Sequence, residues 1–334
     1  MQKIKLGING FGRIGKIVFR LLIEHPEIQL VGINDPMDNK TLLHLLKYDS
    51  VHGRLHEDLS CSNTHLIIGE KYIPISHFTN PEEIPWKEWG AELVLESSGR
   101  FKTRPLLEKH FKAGAKKIIL SCPAEDDSIK TIIIGVNEYI LNSEDNIISN
   151  ASCTANCVAP LLHVLDQNFG IETVFLNTVH PYTNNQQIID SPHSDLRRAR
   201  TAGNNIIPTS STAVKAVHKV MPHLKDRFHG IATRVPVPDG ALTEFVLNFQ
   251  KDVTPEMINH AVKSATENAM KGIIEYCADP IVSSDIINDP SSCIFDSLCT
   301  KVVRGKTAQV ISWYDNEYGY SNRIVDLIGI VNKL

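Results

Sequence analysis

The chain carries no block of lysine and arginine, no apolar run long enough to cross a bilayer, no internal repeat and no low-complexity tract. With a formal net charge of -4, that absence of clustered positive charge argues against a dominant nucleic-acid surface. The missing apolar run argues against a membrane-spanning helix. Nor does the N-terminus, Met1 to Gly7, have the apolar core and cleavage site of a signal peptide; it enters a strand pattern at once. Seven cysteines, an odd number scattered from Cys61 to Cys299, do not resemble the disulfide frame of a secreted protein, and a reducing cytoplasm fits these features together. A small-molecule partner is expected.

What is present is enough chain for two ordinary cores: 334 residues, 42% hydrophobic and 22% charged. Ile4, Leu6 and Ile8 alternate toward one face, and beyond the turn that begins at Gly10, residues Ile14, Ile17, Val18, Leu21 and Leu22 recur at helical spacing. The sequence Gly10-Phe11-Gly12-Arg13-Ile14-Gly15 lies between them, so strand, glycine turn and helix follow in order. A second strand pattern, Leu30 to Asn34, ends on Asp35, about 20 residues past the last glycine, where a dinucleotide fingerprint places its acid. In such a unit Gly10 and Gly12 let the backbone approach a pyrophosphate, the helix N-terminus receives its charge, and Gly15 lets helix and strand close up. Asp35 can bond the ribose hydroxyls and repel a 2′-phosphate, which favours NAD over NADP.

Further apolar runs at Leu93 to Leu95, Lys117 to Leu120 and Thr131 to Ile134 alternate with helical or turn-rich segments. This predicts an α/β fold: a doubly wound, mostly parallel Rossmann sheet, followed by an α+β domain with β-rich runs at Leu242 to Phe249 and Thr307 to Tyr314 and a helical pattern from Pro255 to Met270. Between them residues 180 to 211 form a polar stretch too long for an idle connection.

Cys153, in Ser152-Cys153-Thr154-Ala155-Asn156-Cys157, falls where the strand run Asn146 to Ser149 gives way to helical spacing. Free N–H groups and the helix dipole favour an anion there, so the thiol is expected below its free pKa of about 8.5, although a cysteine is also a common small buried residue. Thiol addition to an aldehyde followed by hydride transfer to a nicotinamide would use such a group beside a dinucleotide site. His180, which follows the strand run Thr173 to Leu176, is the candidate base. Cys157, four residues on, reads as buried packing, because no CxxC or HxxxH motif accompanies it and no metal site is expected.

Six segments in order carry a family resemblance: INGFGRIG at 8–15, LLKYDSVHG at 45–53, SNASCTANC at 149–157, DLRRAR at 195–200, RVPVPDG at 234–240 and SWYDNEYGYSNR at 312–323. By these the chain resembles the phosphorylating, NAD-dependent glyceraldehyde-3-phosphate dehydrogenases, essentially end to end. The resemblance implies Cys153 as nucleophile and His180 as base and later acid. It implies cofactor contacts from Arg13, Ile14, Asp35, Ser121, Asn316 and Tyr320, beside the glycine turn. Contacts to the substrate's phosphate and to the attacking inorganic phosphate would come from Ser152, Thr154, Thr183, Arg198, Ser211, Thr212 and Arg234. It further implies a homotetramer in the cytoplasm and three segments: 1–151 for NAD, 152–316 for catalysis, and a C-terminal helix over 317–334 returning to the first domain. Departures from the family pattern include Ser211-Thr212 in place of Thr-Gly and Thr79 in place of an arginine near the adenine. Rival readings are a sister erythrose-4-phosphate dehydrogenase, an NAD-binding regulator without catalysis, and a Cys-His hydrolase, the last leaving the fingerprint unexplained.

Overall fold

The computed structural model describes residues 3–334, which form two compact units. One comprises the chain up to 132 together with 139–151 and 321–334; the other comprises 133–138 and 152–320. Among the described residues no helix is long and apolar enough to cross a membrane.

The first unit is built on a nine-stranded sheet. Its central strands Lys117–Leu120, Leu93–Glu96, Ile4–Asn9 and Ile28–Asn34 are parallel neighbours in that order, as a doubly wound fold requires. Lys71–Ser76 extends the parallel run, and His65–Ile68 and Leu59–Cys61 then add antiparallel strands at one edge. Because the central strands are covered on both faces, Leu6, Ile8, Ile33, Val94 and Leu95 are buried without strict alternation. Helix Arg13–Leu22 buries Ile17, Val18, Leu21 and Leu22. Glycines make room for tryptophan across the sheet: a Cβ on Gly7 would lie 2.5 Å from Trp86, and one on Gly32 would lie 2.0 Å from Trp89. The apolar run from Thr131 to Ile134 yields only the two-residue strand Lys130–Thr131, and the helical segment after Pro105 is split into Arg104–Leu107 and Lys109–Lys112.

In the second unit a mixed seven-stranded sheet runs in the order Ile207–Ser210, Phe228–Val235, Ile171–Pro181, Ala241–Phe249, Thr307–Tyr314, Cys293–Val303, Ile274–Cys277. Alternate residues of Ala241–Phe249 are buried. Helices Cys153–Phe169, Ala213–Val220 and Pro255–Glu267 supply the cover for that buried face. The opposite face is open, and Phe175, Ile231 and Val246 lie on it at 65%, 47% and 41% exposure. Helix Tyr318–Val331 closes the chain; its residues from 321 onward count with the first unit, where Lys117 Nζ donates to Val331 O.

Candidate active site

In the first unit the ends of three parallel strands open onto a cleft of about 250 Å³ lined by Gly10, Gly12, Asp35, Thr79, Ser98 and Arg100, among others. This is the carboxyl edge of the sheet, where open α/β folds bind ligands. Gly10 turns the chain with φ +91°, and a Cβ there would lie 2.3 Å from the Ser98 backbone nitrogen. At Gly12 a Cβ would meet nothing within 4 Å. Gly10 therefore serves the protein's own packing, whereas Gly12 keeps open space before the helix N-terminus, as a pyrophosphate requires. Asp35 is fixed by backbone donors, Phe11 N to Oδ2 at 2.6 Å and Met37 N to Oδ1 at 2.8 Å, and its oxygens retain lone pairs for further donors. These features fit a dinucleotide. Arg13, Ile14, Gly15 and Ser121 do not line the cleft: Arg13 pairs with Asp49, Gly15 closes against the Gly10 carbonyl, and Ser121 bonds Glu96 O through its N–H. Asn34, Phe78 and Phe101 line it and were not singled out by the motif; only the serines after Glu96 carried a sequence signal, as residues at a strand end.

In the second unit Ser152 caps the helix Cys153–Phe169, accepting from Ala155 N at 3.2 Å, so Cys153 is its first residue. The backbone enters this turn through Ala151 at φ 57°, a left-handed conformation uncommon outside glycine. The strand Ile171–Pro181 runs further than its β-branched start suggests and carries His180 as its penultimate residue. Cys153 Sγ lies 3.5 Å from His180 Nε2. On the neighbouring strand Arg234 is the register partner of His180. Its NH1 lies 2.8 Å from His180 Nδ1 and donates to Pro181 O at 2.7 Å, and the same carbonyl is 2.9 Å from Nδ1. Two tautomers thus have partners: Nδ1–H on Pro181 O, or Nδ1 accepting from Arg234.

The expected low pKa of the thiol is corrected by this geometry. Burial pushes Cys153 up to about 11, outweighing the Arg234 charge and the Thr154 backbone N–H that favour the thiolate. Burial, and then the Arg234 guanidinium, lowers His180 to about 3. The helix tip alone does not make a thiolate. Moving the proton from Sγ to Nε2 creates opposite charges 3.5 Å apart, whose attraction in a poorly solvated site is strong. The geometry thus offers His180 as the nearest proton acceptor for the thiol.

Around this pair the remaining candidates divide. Arg198 is not a solvated cluster residue: Nε donates to Thr209 Oγ1 at 3.0 Å and NH2 to Ser210 O at 3.1 Å, just before Ser211 and Thr212. Its charge is felt at both His180 and Arg234, so the region is electropositive. Arg234 Nε is buried without a hydrogen-bond partner, a donor suited to an anion. Ser211 Oγ accepts from Ala213 N, and Thr212 is exposed at the start of helix Ala213–Val220. Thr183 Oγ1 accepts from Asn185 N. The Thr154 hydroxyl is buried and bonded to Tyr314 Oη at 2.7 Å. Tyr314, which also bonds Thr178 and sets its ring edge-on to His180, is a supporting residue that motif reading missed inside its own matched segment. Asn316 Oδ1 is buried without a partner, which fits an amide N–H donor from a ligand, and Tyr320 is buried.

A dinucleotide turn and a thiol paired with an imidazole define a class, the thiol-dependent nicotinamide dehydrogenases. Residues 4–104 match the family described as glyceraldehyde 3-phosphate dehydrogenase, NAD binding domain, and residues 152–316 match its C-terminal domain, so the chain belongs to the glyceraldehyde-3-phosphate dehydrogenase family. It is 49% identical over 332 residues to glyceraldehyde-3-phosphate dehydrogenase 2 of Streptomyces avermitilis, covering 99% of both chains. It is 50% identical over 333 residues to the Streptomyces coelicolor enzyme (99% of both) and 48% identical over 329 residues to that of Geobacillus stearothermophilus (98% of both).

Proposed function

We propose that this chain oxidises D-glyceraldehyde 3-phosphate to 1,3-bisphosphoglycerate with inorganic phosphate as co-substrate and NAD as acceptor. The observation that carries the reading is the 3.5 Å approach of Cys153 Sγ to His180 Nε2 at a helix N-terminus within reach of two arginine charges. Cys153 attacks the aldehyde carbon as its proton passes to His180, which returns it to the new oxygen, giving a hemithioacetal whose hydroxyl is held by the again neutral His180 and by the Cys153 backbone N–H. NAD, when bound, would supply the hydride acceptor for the next step; Gly12 and Asp35, in the turn that Gly10 shapes, would hold its adenosine half, and Asn316 and Tyr320 are the residues proposed for its nicotinamide. Loss of hydride leaves a thioester on Cys153, and His180 takes up the hydroxyl proton. Phosphate oxygen then attacks the acyl carbon, the Cys153–acyl bond breaks, and the acyl phosphate leaves.

Arg198 and Arg234, with the hydroxyls of Thr183, Ser211 and Thr212 and those of Ser152 and Thr154 at the helix tip, hold the two phosphate groups. When Arg234 turns to an anion it no longer donates to Nδ1. Pro181 O then holds the Nδ1–H tautomer, and Nε2 is free to accept the thiol proton. In this reading residues 1–151 bind NAD, 152–316 carry the chemistry, and 317–334 complete the first domain. The enzyme works as a cytoplasmic homotetramer, supported by the open apolar sheet face of the second unit.

Purified protein with aldehyde, phosphate and NAD should produce NADH, and omitting phosphate should stop turnover after one acyl group per Cys153. Cys153→Ser should abolish turnover and keep NAD binding within about two-fold of the parent, because its side chain is not asked to hold the dinucleotide. Higher kcat/KM on erythrose 4-phosphate would move the substrate to the sister enzyme. Absence of NADH with every reactant present would leave a binding protein without catalysis.

A further inference from the structure

Beneath the dinucleotide cleft lies a polar chain that the reaction does not use. Glu96, the last residue of strand Leu93–Glu96, is fully buried. Its Oε2 accepts from Asn9 Nδ2 at 2.5 Å and lies 3.0 Å from His110 Nε2. Its Oε1 accepts from the Ser98 backbone N–H at 2.8 Å and from the Ser98 hydroxyl. The tautomer of His110 follows from its other side: Trp86 Nε1 can only donate, and it donates to Nδ1 at 3.0 Å. Nδ1 therefore carries no proton in the neutral ring, and Nε2–H donates to Glu96. Four donors meet four lone-pair positions, an arrangement that suits a carboxylate and that an amide cannot reproduce.

The chain continues sideways under the cleft. Asn34 Nδ2 donates to Asn9 Oδ1 at 2.8 Å and to Phe78 O at 2.9 Å. Asn34 Oδ1 accepts from Phe78 N at 2.9 Å and Ser76 Oγ at 2.7 Å. One buried network thus ties the ends of strands Ile4–Asn9, Ile28–Asn34, Lys71–Ser76 and Leu93–Glu96. It fixes two cleft walls, the Ser97–Ser98 turn that packs on Gly10 and the Phe78–Thr79 segment.

We propose that Glu96 is a positioning residue for the dinucleotide, its buried carboxylate holding the Ser98 turn and, through Asn9 and Asn34, the Phe78 segment at the spacing the adenosine half requires. The inference rests on reading this cleft as the NAD site. Glu96→Gln presents an N–H group to donors and breaks the network without removing any atom that touches the ligand.

The test is NAD titration by calorimetry, with circular dichroism confirming native structure at the working temperature. Glu96→Gln should weaken NAD binding by roughly ten-fold or more, the scale expected for a buried donor left without an acceptor. Alkylation of Cys153 by iodoacetamide without NAD should stay at the parent rate, because Cys153 belongs to the other unit. His110→Gln keeps an acceptor for Trp86 and a donor for Glu96, so it should bind NAD nearly as the parent does; His110→Leu removes both and should bind several-fold more weakly. Folded Glu96→Gln with parental NAD affinity overturns the proposal. If Glu96→Gln does not fold, equal NAD affinity of the two His110 variants overturns it instead. Failure of the unmutated protein to bind NAD would count against the cleft reading itself.

Discussion

At Cys153 two local effects oppose each other, and their balance decides how the nucleophile is made. The helix N-terminus and Arg234 favour the thiolate, but burial outweighs them and pushes the Cys153 thiol up to about 11. His180 Nε2 lies 3.5 Å away, and proton transfer to it would replace a buried single charge by an ion pair. If His180 takes the proton in this way, the thiol reacts with iodoacetamide at lower pH than it would without that partner. In His180→Asn the half-titration of alkylation should move upward by about 1–3 pH units, toward the value that burial sets for the thiol without its imidazole partner. A curve that stays in place would mean that His180 does not take the proton. The position of Cys153 was legible from its sequence, since a strand end and a helical period bracket it within a few residues. His180 was picked out from the strand run before it and from the family resemblance, but its contact with Cys153 was not legible, because it depends on where a strand beginning at Ile171 ends. Arg234 stands beside His180 through strand register, which no local pattern encodes.

The glycine turn, as an element, separates residues that serve folding from those that serve binding. Gly10 has a positive φ and no room for a Cβ, whereas Gly12 has an ordinary φ of -73° and open space around it. Gly10→Ala should therefore lower both stability and NAD affinity. Gly12→Ala should leave the unfolding free energy within about 0.5 kcal/mol of the parent, as expected for an open position, while NAD affinity falls at least several-fold. Parallel thermal unfolding and NAD titration check this; equal NAD affinity of Gly12→Ala and the parent would remove the pyrophosphate from that space. The first unit's turn and strands were readable because each central strand is a short apolar run followed by turn residues. The second unit was harder. Cys293–Val303 contains a register shift between Asp296 and Lys301, which breaks its alternation, and Phe228–Val235 carries apolar residues toward both faces. Phe228–Val235 and Cys293–Val303 therefore gave no period-two signal, although both belong to the sheet that holds His180.

For the whole molecule, the same two-faced strands have a consequence beyond their own unit. Phe175 pairs in register with His229 and Val246, and Ile231 is opposite Asn177, which pairs with Glu244, so these side chains share the open face of the second sheet. Together they line a shallow groove of about 380 Å³ with apolar, acidic and imidazole groups side by side. A second copy related by a two-fold axis can place its own apolar residues over these and meet His229 with Glu244, because an isologous contact uses one self-complementary patch twice. Phe175→Glu with Ile231→Glu puts like charges against each other across that axis without touching the Cys153–His180 pair. A homotetramer built on this face should then sediment as smaller species at micromolar concentration, whereas an unchanged sedimentation coefficient would place the subunit contacts elsewhere. Iodoacetamide alkylation of Cys153 provides the control: a parental rate in the dissociated variant shows that the charges acted on assembly and left the second unit folded.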